Sequence, residues 1–215
     1  MNAPDPIASP SRRDFLRFGA LGLLGLLVPR WAGASPVRSM KPAATMDRIA
    51  SQMTIIRRAA WNTTAPHLNR MHAATRYTRI TVHHAGTQPY RQTSRTRTAG
   101  ELTGILESHL ELRYGDIAYH LIVDYAGRVW EGRSLAYEGA HVSSANEGNI
   151  GVMVLGNFER QYPSAAQLAT LDDLVALLRR QYRVAASRVY GHRDLGQTLC
   201  PGERLYPSVV ELKYG

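Results

Sequence analysis

Three short segments of the chain end in or begin with side chains that bind metal ions. They are 82–84 (VHH), 190–192 (YGH) and 200–202 (CPG), and the last begins eight residues after His192. Zn²⁺ prefers imidazole and thiolate ligands, and a catalytic zinc with three protein ligands keeps its fourth position open to water. The sequence therefore indicates a zinc site that combines the His83-His84 pair, His192 and Cys200.

Each of these residues also has an ordinary structural explanation. A histidine at a strand end is commonly a surface or core residue, and a lone cysteine is commonly a small buried hydrophobe. Cys200, however, precedes Pro and Gly in a predicted loop and does not lie on an apolar stripe. A free thiol outside the cytoplasm is also prone to oxidation, against which a bound metal would protect it. Both interpretations stay open on the residues alone.

The elements that must position these residues follow from hydrophobic periodicity. Strands are predicted at 78–83, 117–123, 128–131, 150–155 and 189–190, and helices at 98–113 and from 163 onward. The run 150–155 (IGVMVL) is apolar throughout, which is typical of a central strand covered on both faces. The fold class is therefore α/β, a three-layer domain with a central mixed β-sheet flanked by helices, over residues 53–215.

The first 34 residues have the pattern of a twin-arginine signal peptide. Arg12-Arg13 precedes Phe15-Leu16, an apolar run of 11 residues with three glycines follows at 18–28, and 32–34 (AGA) supplies small residues for cleavage. A membrane anchor is the alternative, but the run is shorter than the ~20 residues that span a bilayer. This pattern predicts a bacterial protein exported to the periplasm or the extracellular space, with a linker at 35–52.

Composition narrows the class of partner. The chain carries a formal charge of +9, of which the signal segment contributes +2, and it contains one cysteine. One cysteine excludes an internal disulfide and any site built from several cysteines. An exported protein with the remaining charge of +7 meets an anionic cell wall more readily than nucleic acid. No stable membrane span is expected once the signal is removed.

The chain resembles the peptidoglycan recognition protein family and the zinc-dependent N-acetylmuramoyl-L-alanine amidases that include phage lysozyme-amidases. Five blocks in the family's order carry the resemblance, from about residue 54 to residue 212. They are 55–61 (IIRRAAW); 81–87 (TVHHAGT); 118–123 (AYHLIV) with 127–133 (GRVWEGR); 139–141 (GAH) with 149–152 (NIGV) and 156–158 (GNF); and 191–194 (GHRD) with 198–202 (TLCPG).

The resemblance implies a role for seven residues. His83, His192 and Cys200 would hold zinc, and Tyr119 and Thr198 would be catalytic, as donors to the attacking water or the oxyanion. His84 would flank the site as a substrate-binding residue, and His141 would contact the glycopeptide in the groove. The implied reaction is hydrolysis of the amide bond between N-acetylmuramic acid and L-alanine of the peptidoglycan stem peptide.

Two departures and two alternatives accompany the resemblance. Met153 stands where some related amidases place a Glu near the metal, and Ser134-Leu135 stands where animal members often carry Gly-Trp. The main alternative is a non-catalytic module that binds peptidoglycan, although such members usually lack the Cys ligand. A redox enzyme is disfavoured because the chain has no Gly-rich dinucleotide fingerprint and no cysteine cluster.

Overall fold

The computed structural model describes residues 42–214. In this part of the chain, ten helices and strands build the domain. They are α1 (Pro42–Ala50), β1 (Ile55–Ile56), β2 (Arg79–His84), α2 (Arg95–Glu111), β3 (Leu121–Val123), β4 (Val129–Glu131), β5 (Asn149–Val154), α3 (Ala165–Tyr182), β6 (Val189–Gly191) and α4 (Tyr206–Tyr214). Among these elements, no helix is long and apolar enough to cross a membrane.

The strands form one mixed sheet in the order β1-β4-β3-β5-β2-β6. Strands β3 and β4 pair antiparallel through the predicted hairpin, and the other neighbours pair in parallel. In the hairpin turn, Asp124 accepts hydrogen bonds from the backbone N–H groups of Ala126 and Arg128, and Gly127 has a φ of +77°. The predicted α/β class with a central mixed sheet is confirmed.

Side chains of the central strands alternate between two hydrophobic clusters. Ile80 and Val82 of β2 belong to the larger cluster, which includes residues of α1, α3 and α4. The smaller cluster includes Met153 of β5 together with Leu102 and Leu106 of α2. Helices therefore cover both faces of the sheet, which gives the three layers that the sequence predicts.

Part of the predicted linker 35–52 is a helix. Met46 and Ile49 in α1 are buried in the larger cluster, and their spacing of three residues places both on the same helix face. The Ala- and Pro-rich composition of this segment gives a weak periodic signal, so the sequence patterns do not predict the helix. The predicted signal peptide at 1–34 lies outside the described residues.

The helix α3 begins where the sequence predicts. Ser164 is its N-cap: the side-chain oxygen accepts from the backbone N–H of Gln167, and the Gln167 side chain accepts from the backbone N–H of Ser164. This reciprocal pair satisfies two N–H groups that a helix end leaves free. The helix α4 and the two-residue strand β1 have too few periodic residues for the sequence patterns to predict them.

Candidate metal centre

Three potential ligands converge at one end of the sheet. His83, His192 and Cys200 each place one ligand atom within 4.8 Å of the other two. Nδ1 of His83 lies 3.6 Å from Sγ of Cys200. A tetrahedral zinc separates an N and an S ligand by roughly 3.6 Å, given its usual bond lengths. The spacing and the chemistry of this donor set therefore fit Zn²⁺.

Parallel pairing of β2 and β6 explains how two of these ligands meet. Val82 of β2 lies beside Gly191 of β6, so the residues that follow them, His83 and His192, emerge side by side. Their ring centroids are 4.6 Å apart. The carboxyl ends of parallel strands share one sheet edge, where side chains project beyond the packed core. The two ligand positions are thus a direct product of strand register.

Arg193 holds the loop that carries the third ligand. Its backbone N–H donates to the carbonyl oxygen of Cys200 at 2.8 Å, and its Nη2 donates to the carbonyl oxygen of Leu199 at 2.7 Å. Its Nη1 donates to Oε1 of Glu203 at 2.7 Å. Because Arg193 directly follows His192, these contacts link the second ligand to the third. Arg193 lies in one of the sequence blocks, but the sequence does not indicate that it holds the Cys200 loop. Its position next to His192 is the only signal for this role.

The electrostatics of the site favour neutral imidazoles and a cation. Burial lowers the pKa of His83, and repulsion from the nearby histidines, which would be charged together with it, lowers this pKa further; burial also lowers the pKa of His192. Burial raises the pKa of the Cys200 thiol to about 12, although the backbone N–H of His84 donates to Sγ at 3.4 Å. A thiolate in this place therefore needs a positive partner, which a bound zinc ion provides.

Two predicted catalytic residues border the ligands. The Tyr119 ring lies 5.1 Å from the His83 ring between centroids, and burial raises the pKa of its hydroxyl, so the group stays protonated. The Thr198 hydroxyl oxygen accepts from the backbone N–H of Cys200 at 3.1 Å. Its O–H hydrogen can therefore be donated elsewhere. Both residues thus lie beside candidate ligands, Tyr119 beside His83 and Thr198 beside Cys200.

His84 points away from the site. Successive side chains of a strand face opposite sides of the sheet, so His84 and the neighbouring His83 diverge. Nδ1 of His84 accepts from the backbone N–H of Phe158 at 3.2 Å, and Phe158 belongs to the larger hydrophobic cluster. The residue flanks the metal centre through its backbone, and its side chain fastens a loop. The predicted contact of His84 with substrate stays a prediction.

The side chain of His141 is buried, and its predicted contact with the glycopeptide stays a prediction. Its side chain is buried beneath His83, and its Nδ1 lies 2.9 Å from Nε2 of His83. Its other ring nitrogen, Nε2, lies 3.2 Å from the backbone oxygen of Asn149. Both nitrogens thus have partners inside the protein. The physical reason is packing, because the residue that follows Gly139-Ala140 turns inward over β5.

Met153 is the cross-strand neighbour of His83 in the register of β2 and β5. Its side chain is fully buried in the smaller cluster. The position beside the first ligand is therefore apolar, as the sequence predicts, and holds no carboxylate. His120 is buried, and its ring nitrogens contact the backbone N–H of Gly151 and the carbonyl of Tyr137, which is a structural role.

The sequence matches a described protein family and is similar to several known proteins. Residues 73–203 match the family described as N-acetylmuramoyl-L-alanine amidase. Peptidoglycan-recognition protein SD of Drosophila simulans is 34% identical over 100 residues, a match that covers 46% of this chain and 54% of that protein. The human N-acetylmuramoyl-L-alanine amidase is 33% identical over 133 residues, 58% of this chain and 22% of that protein. The matches thus span about half or less of these relatives' length.

A solved structure shares the fold. It is the complex of tracheal cytotoxin with the ectodomains of peptidoglycan recognition proteins LCa and LCx. The match has a TM-score of 0.64 and 28% sequence identity, and it covers 72% of this chain and 93% of the matched chain. The arrangement of sheet and helices described above is therefore that of peptidoglycan recognition proteins.

Proposed function

We propose, from the premise that the chain belongs to the N-acetylmuramoyl-L-alanine amidase family, that it is an exported zinc-dependent amidase of peptidoglycan. The bond cleaved joins the lactyl group of N-acetylmuramic acid to L-alanine of the stem peptide. The observation that carries the proposal is the convergence of His83, His192 and Cys200 within 4.8 Å. A two-nitrogen, one-sulfur set with an open fourth position is typical of catalytic zinc.

The thiol favours an enzyme over a module that only binds peptidoglycan. A binding module needs a groove but has no need for a buried thiol facing two imidazoles. Burial raises the pKa of Cys200 to about 12, so the group is a poor thiolate unless a cation is present. The presence of Cys200 among the candidate ligands therefore supports a catalytic role. The binding module remains the second candidate, since several relatives are recognition proteins.

His83, His192 and Cys200 would hold the ion. When bound, zinc supplies a Lewis acid for the scissile carbonyl and lowers the pKa of water toward ~7. The protein's own contribution is to present two neutral imidazoles and to hold the Cys200 loop through Arg193. These contacts order the ligands before substrate arrives, which lowers the reorganisation needed during the reaction.

Tyr119 and Thr198 would stabilise the charge that develops on the carbonyl oxygen. Burial keeps the Tyr119 hydroxyl protonated, and the Thr198 hydroxyl oxygen accepts a hydrogen bond, so each group has an O–H hydrogen to donate. A well-placed donor to an oxyanion contributes ~2.7–4 kcal/mol to transition-state stabilisation. Because the apolar Met153 lies beside His83, Tyr119 is also a candidate for the group that assists proton transfer.

The partner is peptidoglycan or its muropeptides, not nucleic acid. Removal of the 34-residue signal leaves a net charge of +7, which suits a carboxylate-bearing polymer. Export by the twin-arginine route would deliver the protein to the periplasm or beyond. Replacement of Arg12 and Arg13 by lysine should retain the protein in the cytoplasmic fraction of a bacterial host, whereas unchanged export would contradict this route.

The test of the proposed activity pairs zinc analysis with mass spectrometry of digested cell walls. Zinc-loaded protein should release free stem peptides and leave intact glycan, and a chelator should abolish the release until zinc is restored. Products that result from cleavage of a different bond would contradict the assignment of the amide bond. Tight muropeptide binding with no turnover by folded, zinc-loaded protein would establish the binding module in place of the amidase.

A further inference from the structure

A buried chain of hydrogen bonds runs from the first metal ligand into the sheet. Nε2 of His83 meets Nδ1 of His141 at 2.9 Å, and Nε2 of His141 meets the backbone oxygen of Asn149 at 3.2 Å. The side chains of His83, His141 and Asn149 are all buried. Nδ1 of His83, the one ring nitrogen left, faces Sγ of Cys200.

The backbone oxygen of Asn149, at the end of this series of hydrogen bonds, sets the donor and acceptor of each bond in the series. A carbonyl oxygen only accepts, so Nε2 of His141 must carry the hydrogen that it shares with Asn149. A neutral imidazole carries one N–H, so Nδ1 of His141 is an acceptor. Nε2 of His83 must then be the donor, which leaves the lone pair on Nδ1 of His83. That atom is the one directed at the metal centre.

The surrounding backbone is shaped to hold the His141 ring. A Cβ atom at Gly151 would lie 2.5 Å from Cδ2 of His141, and a Cβ atom at Gly139 would contact the same ring even more closely. Oδ1 of Asn146 accepts the backbone N–H groups of His141 and of Val142, each at 2.9 Å. The ring therefore occupies a slot that exists because two neighbours lack side chains, and its own backbone is fastened.

The acceptor carbonyl is fastened as well. The Asn149 side chain accepts from the Thr81 hydroxyl at 2.9 Å and donates to the carbonyl of Ala145 at 2.9 Å. Asn149 also begins β5 and pairs with Arg79 in the sheet. The position of its backbone oxygen is thus set by the central strands. Ring orientation at the candidate metal centre is thereby tied to the central strands of the sheet.

We propose that His141 is a positioning residue that sets the tautomer and ring orientation of His83, so that Nδ1 of His83 is presented to zinc. The inference rests on the proposed zinc site and adds a residue that acts through a ligand. Partners of this kind around a metal ligand alter metal affinity by roughly 10- to 100-fold when removed. His141 then has no need to touch the substrate.

The test compares three variants with the wild-type protein. His141→Phe keeps a planar ring but removes both hydrogen bonds, and His141→Asn retains a side-chain oxygen able to accept from His83. Val175→Ala is the control for lost packing, since Val175 is fully buried in the larger cluster on the other face. Two quantities are measured: the zinc Kd by chelator competition, and the ¹⁵N shifts of the His83 ring in zinc-free protein.

His141→Phe should raise the zinc Kd by roughly 10- to 100-fold, and the zinc-free His83 ring should change from the Nε2–H tautomer to a mixture. The zinc Kd of His141→Asn should lie between those of His141→Phe and the wild type. Val175→Ala should leave both the zinc Kd and the tautomer of His83 unchanged. A zinc Kd within twofold of wild type, with the Nε2–H tautomer kept in His141→Phe, would overturn the inference. Neither readout requires amidase activity, so failure of the proposed function would be seen separately as absent turnover.

Discussion

The two faces of the central sheet differ in what the same strands place on them. On one face, β2 and β5 contribute Ile80, Val82, Ile150, Val152 and Val154, which pack against α1, α3 and α4 in one large apolar cluster. On the other face, the alternate positions are polar or small at several points: Thr81, His83, Asn149 and Gly151. The apolar part of this second face is the smaller cluster, which includes Leu102, Leu106 and Met153.

This difference separates stability from chemistry within single strands. The apolar face removes large side chains from water, and each such side chain contributes about 1.5–3 kcal/mol. The polar face buries fewer large apolar side chains. In their place it holds His83 and His141, which are hydrogen-bonded to each other at the carboxyl edge of β2. A substitution on one face should therefore affect the free energy of unfolding, and one on the other face should affect metal binding and turnover.

The largest expected effect is loss of the third ligand. In Cys200→Ala, turnover should fall by at least ~10⁴-fold, because the variant loses zinc and with it most of the transition-state stabilisation. The free energy of unfolding of the zinc-free protein should change by less than about 1 kcal/mol, since the thiol lies in a loop outside the large cluster. Zinc content, stem-peptide release and urea unfolding measure these quantities. Turnover that survives in zinc-free Cys200→Ala protein would refute the zinc mechanism.

The converse effect is expected on the apolar face. Leu174 in α3 is fully buried in the larger cluster, so Leu174→Ala should lower the free energy of unfolding by ~2–5 kcal/mol through lost burial and a cavity. The zinc Kd and the kcat of the folded fraction should remain those of the wild type. Urea unfolding and chelator competition provide the check. A large change in zinc affinity would show that the two faces are coupled.

The polar groups should also make stability depend on pH. Burial lowers the pKa of His120 to about 4, below the ~6.5 of an unfolded histidine. Its contribution is therefore complete above pH ~6.5 and is lost as the pH falls toward 4, by up to about 3 kcal/mol. His120→Asn should weaken this dependence, whereas Leu174→Ala should lower stability equally at every pH. Parallel curves for wild type and His120→Asn would contradict the assignment.

The smallest of these effects is expected at the donor beside the metal. Tyr119→Phe removes only a hydroxyl, and kcat should fall by about 10²-fold, equivalent to about 2.7 kcal/mol. Zinc Kd and the free energy of unfolding should stay close to wild type, because no ligand and no core packing change. Steady-state kinetics with a defined muropeptide measures kcat. A tenfold rise in zinc Kd would assign Tyr119 to metal binding instead.

Much of this architecture could be predicted from local patterns. Alternation in 78–83 places residues of β2 on two faces, the cap at Ser164 marks the start of α3, and Gly127 marks the hairpin turn. The ligand types at His83, His192 and Cys200 also follow from the sequence. The helix α1 could not be predicted, because two apolar residues, Met46 and Ile49, are a weak periodic signal and only the core explains them.

The sequence by itself determined which chemical groups are available and which face of a strand each occupies, because local periodicity sets side-chain direction. Only the tertiary structure decided which atoms meet. His83 and His141 are 58 positions apart, and His83 and Cys200 are 117 apart, yet each pair is in contact. Strand register and two glycines beside the His141 ring produce these contacts, and neither is encoded in the segments that carry the ligands. For that reason the contact between His141 and His83 could not be predicted from the motif that contains His141.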